Sequence, residues 1–578
     1  MVLEELVQCA GDLQKAGKVP MAIRLYEDWL RKPAPGLSHI ARFNLAVLLS
    51  DSGIPEEAER QLRQAIDAHP KFCQAYFNLG LAVERQGRQD EALGHWLKVT
   101  TLADLTQPDQ KEVAIGALNQ IGRLQEQLKN YPQAENALRQ SLLLNPKQPD
   151  ALQHWIHLRQ KQCKWPVYEA FGQVSEYDML MATSPLAMLA LTDDPLRQLL
   201  SAHSFVSRKF NFPVAKDRPG PYKHDKIRLG YVSGDLCTHA VGLLLPDFLE
   251  AHNKEQFELY AYDFSPEDGS STRSRLKAVF NHFSDIKGMA DADVAKLIRA
   301  HEIDVLIDLH GLSSGARPEI FTRRPASIQM TWLGYIGTTT FPWIDYVIAD
   351  EHSIPKTLEP FFSEKVIHLK GSFLPGRPKP AVEQEQLGND RQDGDAPVIG
   401  CLNNIYKIKP DMLRVWGEIL LEHLQVELLL LDDNATATEN IRLFLLAMGV
   451  PQERIRFYKR GPYAEYKKVM RSLTVYLDTY PYNAGSTARD VIDAGVPMVT
   501  LSGNTFVSRM CGSVLKDYGC GSWVTDSYAG YKERVVQLIQ GNKALQPTPA
   551  VFAPAQTTVT ELQRVADLEQ SLLKVCGR

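Results

Sequence analysis

Four short polar loops follow apolar, strand-like runs in this chain, and each carries residues able to bind or move charge. The first lies in LDTYPYNAGSTARDVIDAGVPMV, Leu477 to Val499, where Gly485-Ser486-Thr487 stands between the run Val475-Tyr476-Leu477 and a helix-like run closed by Gly495. The first N–H groups of a helix lack partners and carry partial positive charge. Two hydroxyls beside them, and a glycine that admits close approach, suit such a mouth to an anion. The same residues also serve as ordinary helix caps. GYVSGDLCTHAVG brings Ser233, Asp235 and His239, DLHGLSSGAR brings Asp308, His310 and Arg317, and LNNIYKIKP brings Asn404 and Lys407. A lone histidine is more often structural than catalytic, but four polar loops at equivalent strand ends point together to a site.

Other chemistries find no support. No G-x-x-x-x-G-K-[ST] occurs, and no G-x-G-x-x-G follows a strand-like run, which argues against P-loop hydrolysis and nicotinamide chemistry. Asp291-Ala292-Asp293 is the D-x-D pair of a metal-dependent sugar transferase in form, but it opens a helix-like run, with Asp291 as its N-cap. No metal site is therefore expected. With 64 basic and 69 acidic side chains, net −5, the chain lacks the basic field of a general nucleic-acid binder. The eight cysteines, Cys9, Cys73, Cys163, Cys237, Cys401, Cys511, Cys520 and Cys576, form no CxxC pair, which points to a reducing, cytoplasmic setting. The start, MVLEELVQCAGDLQK, does not read as a secretory signal, and no apolar run approaches the ~18 residues of a membrane span.

The elements that must position these residues fall into two kinds. In the first 150 residues, FNLAVLLSDSGIPEEA (Phe43 to Ala58) and FNLGLAVERQGRQDEA (Phe77 to Ala92) match at a spacing of 34, Asn44 with Asn78 and Gly53 with Gly87. QIGRLQEQLKNYPQA (Gln120 to Ala134) is a third copy displaced by an insertion near Pro108, and AGKVPMAIRLYEDWL (Ala16 to Leu30) a degenerate earlier one. The period is that of tetratricopeptide helix pairs, with Pro70 and Pro146 ending their repeats. Such arrays bind peptides or proteins along a concave face. Asn44, Asn78 and Gln120 share one repeat position. They read either as plain surface amides or as a ladder gripping the main chain of an extended peptide.

A helical connector, 151–224, leads to short apolar strands alternating with helices. The expected strands are Arg228–Ser233, Phe257–Asp263, Val305–Leu309, Ile328–Leu333, Tyr346–Ala349 and Lys365–Leu369. A turn-rich acidic linker, 382–396, separates them from Val398–Leu402, Val426–Leu431, Ile455–Tyr458, Val475–Asp478 and Met498–Leu501. This pattern describes two doubly wound α/β domains, 225–381 and 397–578, whose ligands bind past the strand ends, in the cleft between them.

Taken together, CKWPVYE, LGYVSGDLCTHAVG, GARPEIFTRRPASIQMTWLGYIGTT, NNIYKIKPDMLRVW and the block LDTYPYNAGSTARDVIDAGVPMVTLSGNTFVSRMCGSVL resemble, in order and spacing, the protein O-linked N-acetylglucosamine transferases. The resemblance implies tetratricopeptide repeats ahead of an inverting, two-lobed GT-B catalytic region, here in a bacterial form with a short acceptor groove. It implies UDP-GlcNAc as donor, no cofactor or metal, and Ser or Thr hydroxyls of proteins held by the repeats as acceptors. Lys407 would then sit on the donor diphosphate with Gly485, Ser486 and Thr487, Asp490 would take the ribose, Tyr466 the base, and Gly334 and Asn404 would line the donor site. His239 would lie beside acceptor and sugar. There are departures: Gly485 stands for a histidine of the animal enzymes, Tyr463 and Tyr466 for a lysine and histidine of the base-recognition loop, Asn404 for a glutamine, and Ile336 for a proline. The alternatives are another donor sugar, fucose or glucose, on the same fold, or a tetratricopeptide scaffold with a degenerate catalytic region.

Overall fold

The computed structural model describes residues 1–31, 37–210, 212–215, 217–376, 396–541 and 559–578. The chain forms two compact units, Met1–Arg159 with Pro166–Leu180, and Gln160–Trp165 with Met181–Arg578. The expected connector, 151–224, is thus divided between the two. The expected linker, 382–396, lies outside the described residues except for Ala396.

In the first unit, helices pair as Leu3–Lys15 with Val19–Leu30, Ser38–Asp51 with Pro55–Ala68, Cys73–Arg85 with Gln89–Leu102, and Pro108–Gln127 with Tyr131–Leu144. Each pair turns on one left-handed residue, Gly17, Gly53, Gly87 or Lys129 (φ 71°, 77°, 80° and 61°). Glycine adopts that conformation without a Cβ penalty, and Lys129 bears it in the last pair. The two helices of a pair touch closely: a Cβ on Gly80 would lie 2.2 Å from the Trp96 ring, and one on Gly122 2.6 Å from Leu138. The insertion near Pro108 lengthens one helix to 20 residues, against 14 for Ser38–Asp51 and 13 for Cys73–Arg85.

The second unit carries two parallel sheets. The first contains β1 (Ile227–Ser233), β2 (Phe257–Asp263), β3 (His282–Asp285), β4 (Val305–Asp308), β5 (Ile328–Thr331), β6 (Tyr346–Asp350) and β7 (Lys365–Leu369), in the order β3-β2-β1-β4-β5-β6-β7. The other contains β8 (Val398–Cys401), β9 (Glu427–Asp432), β10 (Ile455–Lys459), β11 (Val475–Leu477), β12 (Met498–Leu501) and β13 (Val524–Thr525), in the order β10-β9-β8-β11-β12-β13. In both, the chain winds outward from one central strand and then reverses, so the switch points lie between β1 and β4 and between β8 and β11. A crevice opens at such points beyond the carboxyl ends of the strands. All eleven expected strands form. The two unexpected ones, β3 and β13, are edge strands too short or too exposed to show an apolar run.

One boundary needs correction. Residues 397–578 do not all belong to the second lobe: the helix Glu561–Val575 returns to the first. Its Glu569 bonds the ring of His252 at 2.9 Å and the Asn253 N–H at 2.8 Å, and Asp567 accepts the Lys370 N–H at 2.9 Å. Arg564 remains paired with Asp517 of the second lobe, both fully buried. The buried faces of Val565, Leu568 and Leu572 find apolar cover there that a free surface helix would lack.

Candidate active site

The loops at the two switch points build the site. After β11, Asp478 is fully buried and accepts from the N–H groups of Thr479 and Ala484 (both 2.8 Å), from Asn403 Nδ2 (3.0 Å) and from the Thr500 hydroxyl (2.6 Å). Burial pushes its carboxyl upward, and these donors oppose that. One carboxylate thus joins the ends of β8, β11 and β12. Asn483 is held in turn through Nδ2 by the carbonyls of Thr479 (2.9 Å) and Leu501 (3.3 Å).

Lys407 ends the turn Ile405–Lys407 beyond β8. Its Nζ donates to the Asn483 carbonyl at 3.4 Å and lies 3.8 Å from the centre of the Tyr482 ring. Burial lowers its ammonium to about 8, with Asp478 acting against that fall. The helix Ser486–Asp493 begins three residues past Asn483. Gly485 occupies its N-cap and offers no side chain, and among the described residues the N–H groups of Ser486 and Thr487 donate to no backbone or side-chain acceptor. An ammonium and an uncapped helix mouth therefore share one end of the sheet, where both favour negative charge. Packing also favours glycine at 485: a Cβ would lie 2.9 Å from Met510 Sδ.

Asp490, one turn into that helix, is 6% exposed, and its Oδ1 accepts from the Tyr463 hydroxyl at 2.7 Å. The Tyr463 and Tyr466 rings stack at 6.2 Å with an interplanar angle of 22°. Tyr463 is thus a partner of Asp490, a contact the sequence did not suggest. Asn404 opens the Lys407 turn through its carbonyl, while its neighbour Asn403 carries the side-chain bonds.

In the first lobe, His239 caps a five-residue helix, half exposed, with Nδ1 3.5 Å from the Val241 N–H and 3.4 Å from Asp235 Oδ2. With Nδ1 accepting the Val241 N–H, the neutral ring carries its proton on Nε2, and the Asp235 carboxylate stands beside it. His310, by contrast, is committed: its Nε2 accepts the Gly234 N–H at 2.8 Å and its Nδ1 meets the Ser313 hydroxyl at 3.1 Å, which makes it a strut between two loops. Asp308 caps its own loop through the N–H groups of His310 (2.9 Å) and Gly311 (3.0 Å). Ser233 accepts the Asp235 N–H at 3.0 Å. Arg317 grips the carbonyls of Ile286 (2.8 Å) and Met289 (2.6 Å) and the carboxylate of Asp291 (2.8 Å).

Asp291 is accordingly not the expected N-cap. Ala290 occupies that position in an extended conformation, and Asp291 is the first helical residue, turned to Arg317. Asp293 pairs with Lys296 instead, at 2.9 Å. Gly334 is glycine because a Cβ there would lie 2.1 Å from the Leu309 carbonyl oxygen. Its loop is pinned by the buried Glu364, which accepts from the Thr338 hydroxyl and the Thr339 N–H, both at 2.7 Å. Tyr335 of this loop is close enough to Tyr482 for its hydroxyl to be raised by it, after the larger effect of burial.

The repeat amides all lie on the first helix of their pairs and are half-buried. Asn44 lies beside the Tyr26 hydroxyl, Gln120 Oε1 accepts from Arg123 Nε at 2.8 Å, and among the described residues Asn78 makes no side-chain hydrogen bond. The sequence reading singled out Lys407, His239 and the helix mouth but missed Asp478 and Asn403. An acid directly after an apolar strand, and paired asparagines after another, were the available signals.

Helical repeats followed by two facing parallel-sheet lobes with polar loops at their switch points define a Rossmann-like, two-lobed architecture of the GT-B type. The chain belongs to glycosyl transferase family 41, whose model matches residues 202–387 and 383–560. Tetratricopeptide models match 43–101 and 115–148. The probable UDP-N-acetylglucosamine–peptide N-acetylglucosaminyltransferase SEC of Arabidopsis thaliana is 30% identical over 419 residues, 69% of this chain and 43% of that protein. The probable enzyme of that description named SPINDLY in Petunia hybrida is 27% identical over 323 residues, 54% of this chain and 34% of that one. The chain spans less than half the length of these relatives. A mutant O-GlcNAc transferase of Thermobaculum terrenum superposes with a TM-score of 0.62 at 24% identity, covering 93% of this chain and 98% of that one, a likeness of fold. No described helix is long and apolar enough to cross a membrane.

Proposed function

We propose that the protein transfers N-acetylglucosamine, with inversion, from UDP-GlcNAc to Ser and Thr hydroxyls of proteins. The observation that carries this reading is the Lys407 ammonium beside the uncapped mouth of the helix Ser486–Asp493, in a chain of family 41. As the acceptor oxygen bonds to the sugar C1, the bond from C1 to the diphosphate oxygen breaks, and the departing diphosphate gains negative charge. Lys407 and the N–H groups of Ser486 and Thr487 are fixed donors for that charge, and they need no reorganisation as it develops. No metal is needed for this step, and none of the reaction passes through one. The acceptor proton goes to the His239 ring, and the Asp235 carboxylate 3.4 Å from that ring favours the cation that results. Asp490, Tyr466, Asn404 and Gly334 serve the nucleoside and sugar, and Asn44, Asn78 and Gln120 serve the acceptor main chain.

The relatives named as peptide N-acetylglucosaminyltransferases support the choice of donor and acceptor. The eight unpaired cysteines support a reducing, cytoplasmic setting. Incubation with labelled UDP-GlcNAc, UDP-glucose and GDP-fucose, scored for donor hydrolysis and for labelled protein, tests the proposal. Label from UDP-GlcNAc on Ser or Thr is the expected result. Transfer from another donor alone would replace the sugar, and no turnover of any donor would leave the scaffold reading.

A further inference from the structure

Asp193 lies outside both sheets, just before the helix Pro195–Lys209, yet its carboxylate enters the second lobe. Its Oδ2 accepts from the Tyr480 hydroxyl and the Asn504 N–H, both at 2.7 Å, and its Oδ1 accepts from the Thr505 hydroxyl at 2.9 Å and from the Ser508 hydroxyl. Four donors occupy about the full accepting capacity of one carboxylate. Tyr480 belongs to the loop after β11, the one that carries Tyr482 and Asn483 to Lys407. Asn504 and Thr505 belong to the loop after β12, and Ser508 to the helix Phe506–Asp517. Gly503 sits against the same group: a Cβ there would lie 2.3 Å from Asp193 Oδ2, while its backbone lies outside the left-handed region. Conformation therefore does not demand this glycine, and the carboxylate does. The surrounding segment braces the other half of the site as well. Lys409 Nζ donates to the Leu191 carbonyl at 2.6 Å, and the Cys163 thiol lies 3.4 Å from the Ile405 carbonyl, at the two flanks of the Lys407 turn.

We propose that Asp193 is a positioning residue of the donor site: it locks the loops after β11 and β12 in one relative placement, and Gly503 is the space its carboxylate requires. The inference rests on the proposed donor site. Loops that carry donor contacts gain their catalytic value from placement, and errors near 1 Å cost on the order of 10²-fold.

The test is a double-mutant cycle read in donor kinetics and nucleoside diphosphate affinity, with uridine diphosphate as the probe. Asp193→Ala and Gly503→Ala should each raise KM for the nucleotide sugar and weaken uridine diphosphate binding by roughly 10- to 100-fold, a span set by that misplacement cost. KM for the protein acceptor should stay within about three-fold, because the acceptor does not depend on these loops. In the double variant the alanine methyl enters the space the carboxylate left, so its defect should equal that of Asp193→Ala alone rather than the product of the two. Multiplicative defects, or variants that melt earlier but bind uridine diphosphate like the wild type, would overturn the proposal. Gly503→Ser offers a second route to the same steric conflict if the alanine variant misfolds. A wild type that binds no nucleoside diphosphate would overturn the donor-site reading and this inference together, whereas binding by the wild type with additive variants sinks the inference alone.

Discussion

Replacing Lys407 by methionine keeps the length and apolar body of the side chain and removes one charge. The magnitude follows from the site. A unit charge about 4 Å from another contributes about 4 kcal/mol at an effective dielectric of 20. Loss of one preorganised donor at a developing charge costs on the order of 10²–10³ in rate, about 2.7–4 kcal/mol, so the two routes agree. With its ammonium lowered to about 8 by burial, Lys407 is about nine-tenths charged at pH 7 and about half charged at 8. The wild-type kcat/KM for donor should therefore fall as pH rises through about 8. The limb in kcat should lie higher, because a bound diphosphate favours the charged form. The sign for stability is the reverse. The folded value lies below the unfolded one, so burying this ammonium costs stability below about 8, and the cost disappears as pH rises toward the ordinary lysine range. Lys407→Met should thus lose roughly 10²–10³ of turnover, by the estimate above, and melt no earlier than the wild type at pH 7. Release of uridine diphosphate at saturating donor, followed from pH 6 to 9.5 beside thermal melts, measures both. Turnover within about three-fold of wild type, far inside the expected loss, would refute the leaving-group role. A basic limb that persists unchanged in the methionine variant would show that another group titrates.

Three further outcomes are expected. Transfer should survive excess chelator, and a loss of turnover in EDTA restored by manganese would show that the leaving group depends on a metal. Asn44→Ala, Asn78→Ala and Gln120→Ala together should weaken transfer to protein acceptors by roughly ten-fold, about two or three modest hydrogen bonds, and leave donor hydrolysis unchanged. Equal loss of both activities would make these amides structural. Tyr463→Phe releases the Asp490 oxygen that the phenol now occupies and should tighten uridine diphosphate binding several-fold, as expected for a hydrogen bond to a charged group. Tenfold weaker binding in calorimetry would show that the phenol belongs to the bound state.

Much of this molecule is legible along the chain because its signals are local. The repeat period follows from small residues and left-handed turns that recur at fixed spacing, and Gly53 and Gly87 stand where the backbone needs them. Strand–helix alternation follows from apolar runs that burial on both faces requires, which is why Phe257–Asp263 and Met498–Leu501 form as expected. Lys407, His239 and the Ser486–Thr487 mouth could be picked out because a loop directly after a strand has few other uses for those side chains. The edge strands His282–Asp285 and Val524–Thr525 were not legible, since an edge needs no apolar run.

Strand order was decided only in three dimensions. Nothing local puts β1 beside β4 or β8 beside β11, yet those neighbours create the two switch points and bring Lys407 to Asn483. The fates of the polar candidates were decided there too. His310 and His239 are the same residue type at similar loop positions, but one has both nitrogens bound and the other keeps an exposed ring beside Asp235. Asp291 and Asp478 are both acids at element ends, but one meets Arg317 and the other disappears beneath the donor loop. Sequence determines which groups a segment carries and which local conformation it favours. Whether a group is bound, buried or free depends on neighbours tens to hundreds of residues away, and hydrogen bonds and desolvation act over only a few ångströms, so only the folded chain assigns those partners.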